Sequence, residues 1–219
     1  KILPGKYPEP YEEKMKYGTF IKLYNYDIGS GLRTSAILDL NNKINQLLVN
    51  PLVPIRIYER RKGFKANSYE TTCDGLETRF DRDRSELLVD GFPSEFIFNC
   101  NNQPFRAKIF AYKKYSDLEN RKKTDVKKYG NGVIFTTNGQ TNGHLPYRFF
   151  ATRGLTYENI MKNLLVQIDC SDVAPSVIEK IFQNDRERIY DNEITAEIKA
   201  QIVEELKKHQ GLKKFQSEW

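Results

Sequence analysis

Two strand-like runs on either side of a tight turn constrain the fold of this chain more than any other feature. Residues 94–100 (SEFIFNC) and 104–115 (PFRAKIFAYKKY) are rich in aromatic and β-branched residues. Between them lie Asn101, Asn102 and Gln103, and asparagine favours tight turns. The two runs therefore predict an antiparallel hairpin. Its apolar face would consist of Phe96, Phe98, Phe105, Ile109 and Tyr112.

The rest of the chain alternates between strand-like and helix-like patterns. Further strands are predicted at 17–26, 53–60, 86–93, 133–140 and 164–170. Helices are predicted at 32–50, 156–163, within 173–189, and at 194–209. Residues 62–82 are polar, and residues 116–130 are charged and predict an exposed loop or short helix. This order predicts an α+β fold with a mixed, mainly antiparallel sheet and helices on one face.

Composition narrows the class of protein without naming a function. No segment approaches the roughly 20 apolar residues that a membrane-spanning helix needs, so we expect a cytoplasmic protein with no membrane partner. The net charge of +6 permits contact with nucleic acid but does not require it. Cys73, Cys100 and Cys170 are far apart and odd in number, which predicts buried free thiols rather than disulfides or a zinc site.

Common enzyme signatures are missing from the sequence. There is no P-loop, no dinucleotide-binding glycine pattern and no nucleophile elbow. His144 and His209 are the only histidines, so neither a Ser-His-Asp site nor a metal site with several histidine ligands is expected. For His209 we expect a structural role near a helix C-terminus. For His144, an exposed turn residue and a functional contact are both open interpretations.

Two short segments have residue types suited to phosphate. Gly18 and Thr19 open a predicted strand, where bare backbone N–H groups and a hydroxyl can approach a phosphate closely. Arg186 and Arg188 follow the strand at 164–170, and the forked guanidinium group suits phosphate oxygens. An ordinary strand start and a solvated surface of alternating charge are the other interpretations.

Together the two segments resemble the GHKL (Bergerat-fold) ATPases, which include the ninety-kilodalton heat-shock chaperones, MutL, type II topoisomerases and MORC proteins. Residues 18–23, Gly-Thr-Phe-Ile-Lys-Leu, resemble the glycine box that ends the family's ATP-binding domain. Residues 168–173 and 185–189, followed by a helix, resemble the transducer stretch that carries a basic residue to the γ-phosphate. The match implies that this residue is Arg186, with Arg188 as the alternative.

This resemblance implies a ribosomal protein S-five-like transducer fold and a part of a larger ATPase. Residues 1–28 would hold the lead-in and last strand of an upstream ATPase domain, and residues 29–219 the transducer domain, with a further division near 116–130. Only 17 residues precede Gly18, so the chain alone would bind no cofactor and hydrolyse no ATP. ATP and Mg²⁺ would bind in the parent protein, which the family implies is a homodimer.

A nucleic-acid-binding module is the alternative function. Its evidence is a set of basic loops with nearby aromatic residues, a combination that suits phosphate contact and base stacking. The candidate DNA-contacting residues are Arg60, Arg61, Lys62, Arg121, Lys122, Lys123, Lys127 and Lys128.

Overall fold

A five-stranded sheet organises the part of the chain that the computed structural model describes, which is residues 43–45, 47–52, 55–58, 70–73, 75–114, 130–185 and 187–219. All of these residues belong to one compact unit, Thr34–Trp219. The strands are β1 (Ile55–Tyr58), β2 (Glu70–Cys73), β3 (Ser94–Cys100), β4 (Gln103–Ala111), β5 (Gly132–Thr137), β6 (Gln140–Leu145) and β7 (Leu164–Asp169). The α-helices are α1 (Leu76–Leu87), α2 (Pro175–Ile181), α3 (Glu193–Lys208) and α4 (Gln210–Ser217). Short 3₁₀ helices occupy Tyr147–Ala151 and Met161–Asn163.

The sheet has the strand order β3-β4-β7-β5-β6, and β1 pairs with β2 in a separate antiparallel pair. Within the five strands, β5 and β7 run parallel, whereas the other three pairings are antiparallel. The parallel pair arises because β7 inserts between the two hairpins. The prediction of an α+β fold with a mixed, mainly antiparallel sheet is confirmed.

Both hairpins turn on residues that tolerate a positive φ. Asn101 and Asn102 join β3 to β4 with φ of 50° and 56°, and Asn138 and Gly139 join β5 to β6 with φ of 51° and 74°. Two such residues in succession match the right-handed twist of the flanking strands, and asparagine and glycine adopt this conformation most readily. These turns therefore set the register of both hairpins.

The main core lies between one face of the sheet and helices α3 and α4. Sheet residues Phe105, Ile109, Phe135 and Val166 are fully buried in it. From α3, one stripe of apolar residues spaced at helical intervals packs onto this face: Ile198, Ile202, Val203 and Leu206. Asn192 starts α3 with a capping box, because its side chain accepts the Thr195 N–H while Thr195 Oγ1 accepts the Asn192 N–H.

Helix α1 covers part of the opposite face of the sheet, so the prediction that the helices lie on one face is wrong. The Phe80 ring stacks on the Phe110 ring with 4.2 Å between centroids, and Tyr112 and Leu165 complete this second cluster. The predicted apolar face of the hairpin groups Tyr112 with Ile109, and this prediction is wrong, because residues three apart along an extended chain point to opposite faces.

Two other local predictions differ from the structure. Residues 76–87 form α1, whereas the sequence pattern suggested a polar stretch followed by a strand. Only a few apolar side chains mark this helix, so its pattern is weak in isolation. Residues 156–163 form turns and a short 3₁₀ helix instead of a continuous helix. Tyr157 is buried there and donates its hydroxyl hydrogen bond to the Leu206 carbonyl (2.8 Å), a tertiary contact that overrides local propensity.

All three cysteines are free and buried, as the sequence predicted. Burial is the main cause that raises the pKa of the Cys100 thiol to about 11. It also raises the pKa of the Cys170 thiol. Both groups are therefore protonated and weakly nucleophilic at neutral pH.

His209 is the joint between α3 and α4. Its Nδ1 accepts the N–H of Leu212 (3.1 Å) and so caps α4, while Nε2 lies 2.8 Å from Ser94 Oγ. A neutral ring with its proton on Nε2 satisfies both contacts. The ring also stacks on Phe92 at 5.7 Å, and burial lowers the pKa of His209 below its ordinary 6.5. His209 does lie at the C-terminus of α3, as predicted, but it acts as a half-buried cap of α4 and not as a surface cation.

We expect this joint to make stability depend on pH. Because the pKa of His209 is lower in the folded than in the unfolded chain, the unfolded state takes up the proton first. The free energy of unfolding should be at its full value above about pH 6.5 and should fall as pH drops from there. Urea unfolding between pH 5 and pH 7 measures this effect. His209→Asn should flatten the profile, because asparagine caps a helix without titrating. A profile that keeps its slope in this variant would contradict the expectation.

Candidate functional site

The segment between α2 and α3 forms a tight loop that carries the predicted transducer residues. Phe182 and Ile189 pair as an antiparallel bridge, and Gln183 N–H donates to the Arg188 carbonyl (3.0 Å). Tyr190 N–H donates to Ile181 O (2.8 Å), which closes the base of the loop. This segment, residues 182–189, is called the transducer loop below, after the stretch that its sequence resembles. Its two stems are fixed by backbone hydrogen bonds.

Asp185 organises the tip of the transducer loop. Its Oδ1 accepts the backbone N–H groups of Glu187 (2.9 Å) and Arg188 (3.1 Å). Both bonds lower the pKa of the Asp185 carboxyl group, and the bond from Glu187 N–H has the larger effect. An aspartate that accepts the N–H groups two and three residues ahead is a typical turn former. Asp185 is therefore charged at neutral pH, and its Oδ1 stabilises the turn.

Strand β6 holds the transducer loop from one side through His144. Its backbone N–H donates to the Glu187 carbonyl (3.2 Å), and its Nδ1 lies 2.9 Å from the same oxygen. Since a carbonyl only accepts, Nδ1 carries the proton and Nε2 is the ring's acceptor.

Gly143 lets the transducer loop lie close against β6. A Cβ at this position would be 2.8 Å from Ile189 Cγ2 and 3.3 Å from Phe182 Cδ1, inside normal contact distance. A bulge places Gly143 there: Phe135 pairs with Gly143, Thr136 pairs with Thr141, and Asn142 is the extra residue. Bulges re-aim the side chains that follow them. This one turns position 143 towards the loop stems and His144 to the other face.

A cavity of about 300 Å³ adjoins the transducer loop on the face that carries His144. Its floor is apolar, with Ile134 and Leu165 from the sheet and Leu76 from α1. Its polar lining comes from Lys43, Asn131, Thr141, His144 and Glu187. The volume is at the lower end of the range for small-molecule sites. The cavity therefore offers an apolar floor and an oriented imidazole next to the loop.

Arg188, the alternative phosphate-contacting residue, already has an acidic partner. Its Nε lies 3.6 Å from Asp185 Oδ2, and its side chain is 72% exposed. An exposed pair of this kind contributes little to stability.

The other predicted site residues lie outside the described residues. They are Arg186, Gly18 and Thr19, together with the basic set Arg60, Arg61, Lys62, Arg121, Lys122, Lys123, Lys127 and Lys128. Their roles stay predictions. Within the described ranges, no group of three or more His, Cys, Asp or Glu side chains could hold a metal ion.

The close packing at Gly143 was not predicted from the sequence, and the contact that His144 makes was left open as one of two interpretations. The Asn142-Gly143 pair looks like a turn signal, yet both residues lie inside β6. The sequence does contain a signal for this. Asn138-Gly139 already forms the hairpin turn, and a second turn at Asn142-Gly143 would leave no room for a strand between the two. Glycine within a strand often marks a bulge or a close backbone approach, and here it marks both.

Comparison with known proteins did not identify the chain. No protein-family model matches the sequence, and a search of curated proteins also found no match. Of the helices in the described part of the chain, none has the length and apolar character needed to cross a membrane.

Proposed function

We propose that the chain is a transducer-type part of a GHKL-type ATPase and that the transducer loop carries Arg186 to the γ-phosphate of ATP. ATP and Mg²⁺ would be bound by an upstream ATPase domain, with Gly18 and Thr19 at its glycine box. Arg186 would stabilise the negative charge that develops on the transferring phosphoryl group, a role for which a planar, permanently charged donor is well suited.

The double anchoring of the transducer loop is the observation that supports this role. Catalysis by a charged side chain requires that the side chain be held before the reaction, because a mobile charge loses its advantage to water. Asp185 fixes the turn from inside, and His144 fixes it to the sheet from outside. A movement of the sheet relative to another domain would therefore carry the loop with it, which is how such a domain would couple nucleotide state to conformational change.

ATP turnover by the intact protein that carries this chain tests the proposal. We expect Arg186→Ala to lower kcat by at least tenfold while ATP binding changes little, because the guanidinium group acts in the transition state. Arg186→Lys should restore part of the rate, since lysine supplies charge without the fork. Arg188→Ala, one position beyond Glu187, is the matched control and should leave kcat unchanged.

Each other result has a definite meaning. If Arg188→Ala lowers kcat and Arg186→Ala does not, the ATPase proposal survives but the residue is misplaced. If the intact protein neither binds nor hydrolyses ATP, the proposal is wrong. In that case the nucleic-acid alternative becomes the one to pursue, with salt-dependent DNA binding as its requirement.

A further inference from the structure

The two edge strands of the five-stranded sheet differ in how their outer edges are used. At β6, Leu48 forms a bridge with Gln140, Asn50 N–H donates to Gly139 O (3.1 Å), and His144 N–H donates to Glu187 O. These contacts occupy its outer edge. At β3, no backbone group outside β4 pairs with the strand in the described part of the chain. Among the described residues, the sheet therefore has one occupied edge and one open edge.

Strand β3 lacks the usual features that protect an open edge. Lysine, proline and bulges discourage strand addition, and Ser94–Cys100 has none of them. Its single charged residue, Glu95, is paired with Lys108 on β4 (3.3 Å). At the middle of the strand, Ile97 is 66% exposed. A seven-residue open edge with an exposed isoleucine at its centre is suited to pairing with another strand.

The sequence of β3 is close to a palindrome about Ile97. In a two-fold antiparallel pairing centred there, Ile97 would face its own copy, Phe96 would face Phe98, and Glu95 would face Asn99. Cross-strand pairs of aromatic and aliphatic side chains stabilise sheets, and a carboxylate can accept from an asparagine amide. No like charges oppose each other in this register.

From these observations we propose that β3 is a homodimerisation edge, which pairs antiparallel with β3 of a second copy and joins two five-stranded sheets into one. The proposal does not depend on the ATPase role. A strand pair alone buries less area than a standard permanent interface, so the dimer is weak and forms as concentration rises. A two-fold pairing is also the arrangement in which one surface is its own partner.

Sedimentation of the 219-residue chain, from low micromolar to several hundred micromolar, measures the dimer directly. Ile97→Lys places two ammonium groups against each other and should raise the dissociation constant at least tenfold. Leu52→Lys is the matched control, because Leu52 is fully exposed elsewhere on the described surface. It should dimerise like the unchanged chain, and circular dichroism should show both variants folded.

Cysteine cross-linking tests the register. Ile97→Cys should form a disulfide-linked dimer under mild oxidation, because residues directly opposite have Cβ atoms about 5 Å apart. Glu95→Cys should not, since the two copies of position 95 would be about 13 Å apart along the strands. The three native thiols are buried, so we expect no cross-linking from them in the unchanged chain. A chain that stays monomeric at every concentration would overturn the proposal, as would equal dimerisation by Ile97→Lys or equal cross-linking from both positions.

Discussion

Gly143→Val is expected to lower ATP turnover by the intact protein as much as Arg186→Ala does, at least tenfold, although position 143 lies on β6 and not in the transducer loop. The added side chain would overlap Ile189 and Phe182, both of which form the loop stems. The loop stems must move away, and in the proposed ATPase this would displace Arg186 from the γ-phosphate. A displacement of about 1 Å in a catalytic group is enough to lower a rate by two orders of magnitude.

Stability measurements separate this effect from simple unfolding. Overpacking at Gly143 should lower the free energy of unfolding by about 1–3 kcal/mol, which leaves most molecules of an ordinary domain folded. Gly91→Ala is the matched control: its φ of +86° strains any added side chain, but nothing lies within 4 Å of the new Cβ. It should lose about 1 kcal/mol through backbone strain and keep its turnover.

A second substitution should relieve the overlap that Gly143→Val creates. Ile189→Ala removes the Cγ2 atom that the new side chain would meet at 2.8 Å. Combined with Gly143→Val, it should restore part of the turnover, whereas Ile189→Ala alone should lower stability. A turnover that is unchanged by Gly143→Val would show that loop position does not control the rate.

The β3–β4 hairpin could be predicted from the sequence because its information is local: Asn101-Asn102 specify the turn, and the strands on both sides are long enough to show a pattern. Strand β6 was not predicted, because its residues, Gln140–Leu145, show no strand-like pattern of their own. The insertion of β7 between the hairpins could not be predicted in this way. It depends on which apolar strands pair across more than fifty residues of chain, and the turn residues carry no information about that pairing.

The candidate site shows the same division between local and tertiary information. The sequence indicated only a surface of alternating charge around Asp185, and the contact that holds the loop to the sheet joins His144 to Glu187, 43 residues further along the chain. His144 is exposed, so neither burial pattern nor charge indicates its partner. The bulge at Asn142 could not be predicted either. One extra residue reverses the faces to which the following side chains point, but it leaves the composition of the strand unchanged.

Phe105→Ala is expected to lower the free energy of unfolding by about 3–5 kcal/mol, the largest effect on stability that we predict. Phe105 has no exposed surface, and its ring stacks on Phe98 with 5.2 Å between centroids and 9° between planes. Alanine would leave a cavity between β3, β4 and α3 that the fixed hairpin register prevents from closing. Urea unfolding measures the loss, with Asn99→Ala, exposed on the same hairpin, expected to change stability by no more than about 0.5 kcal/mol.

This substitution also tests whether stability and function are separate in the proposed ATPase. Phe105 lies on β4, with β7 and β5 between it and the strand that holds the transducer loop. Turnover per folded molecule should therefore be unchanged at temperatures below the unfolding transition, whereas Gly143→Val loses turnover with a smaller loss of stability. Both variants could instead lose turnover in the same proportion to their loss of stability. The rate would then reflect the fraction of folded molecules and not the position of the loop.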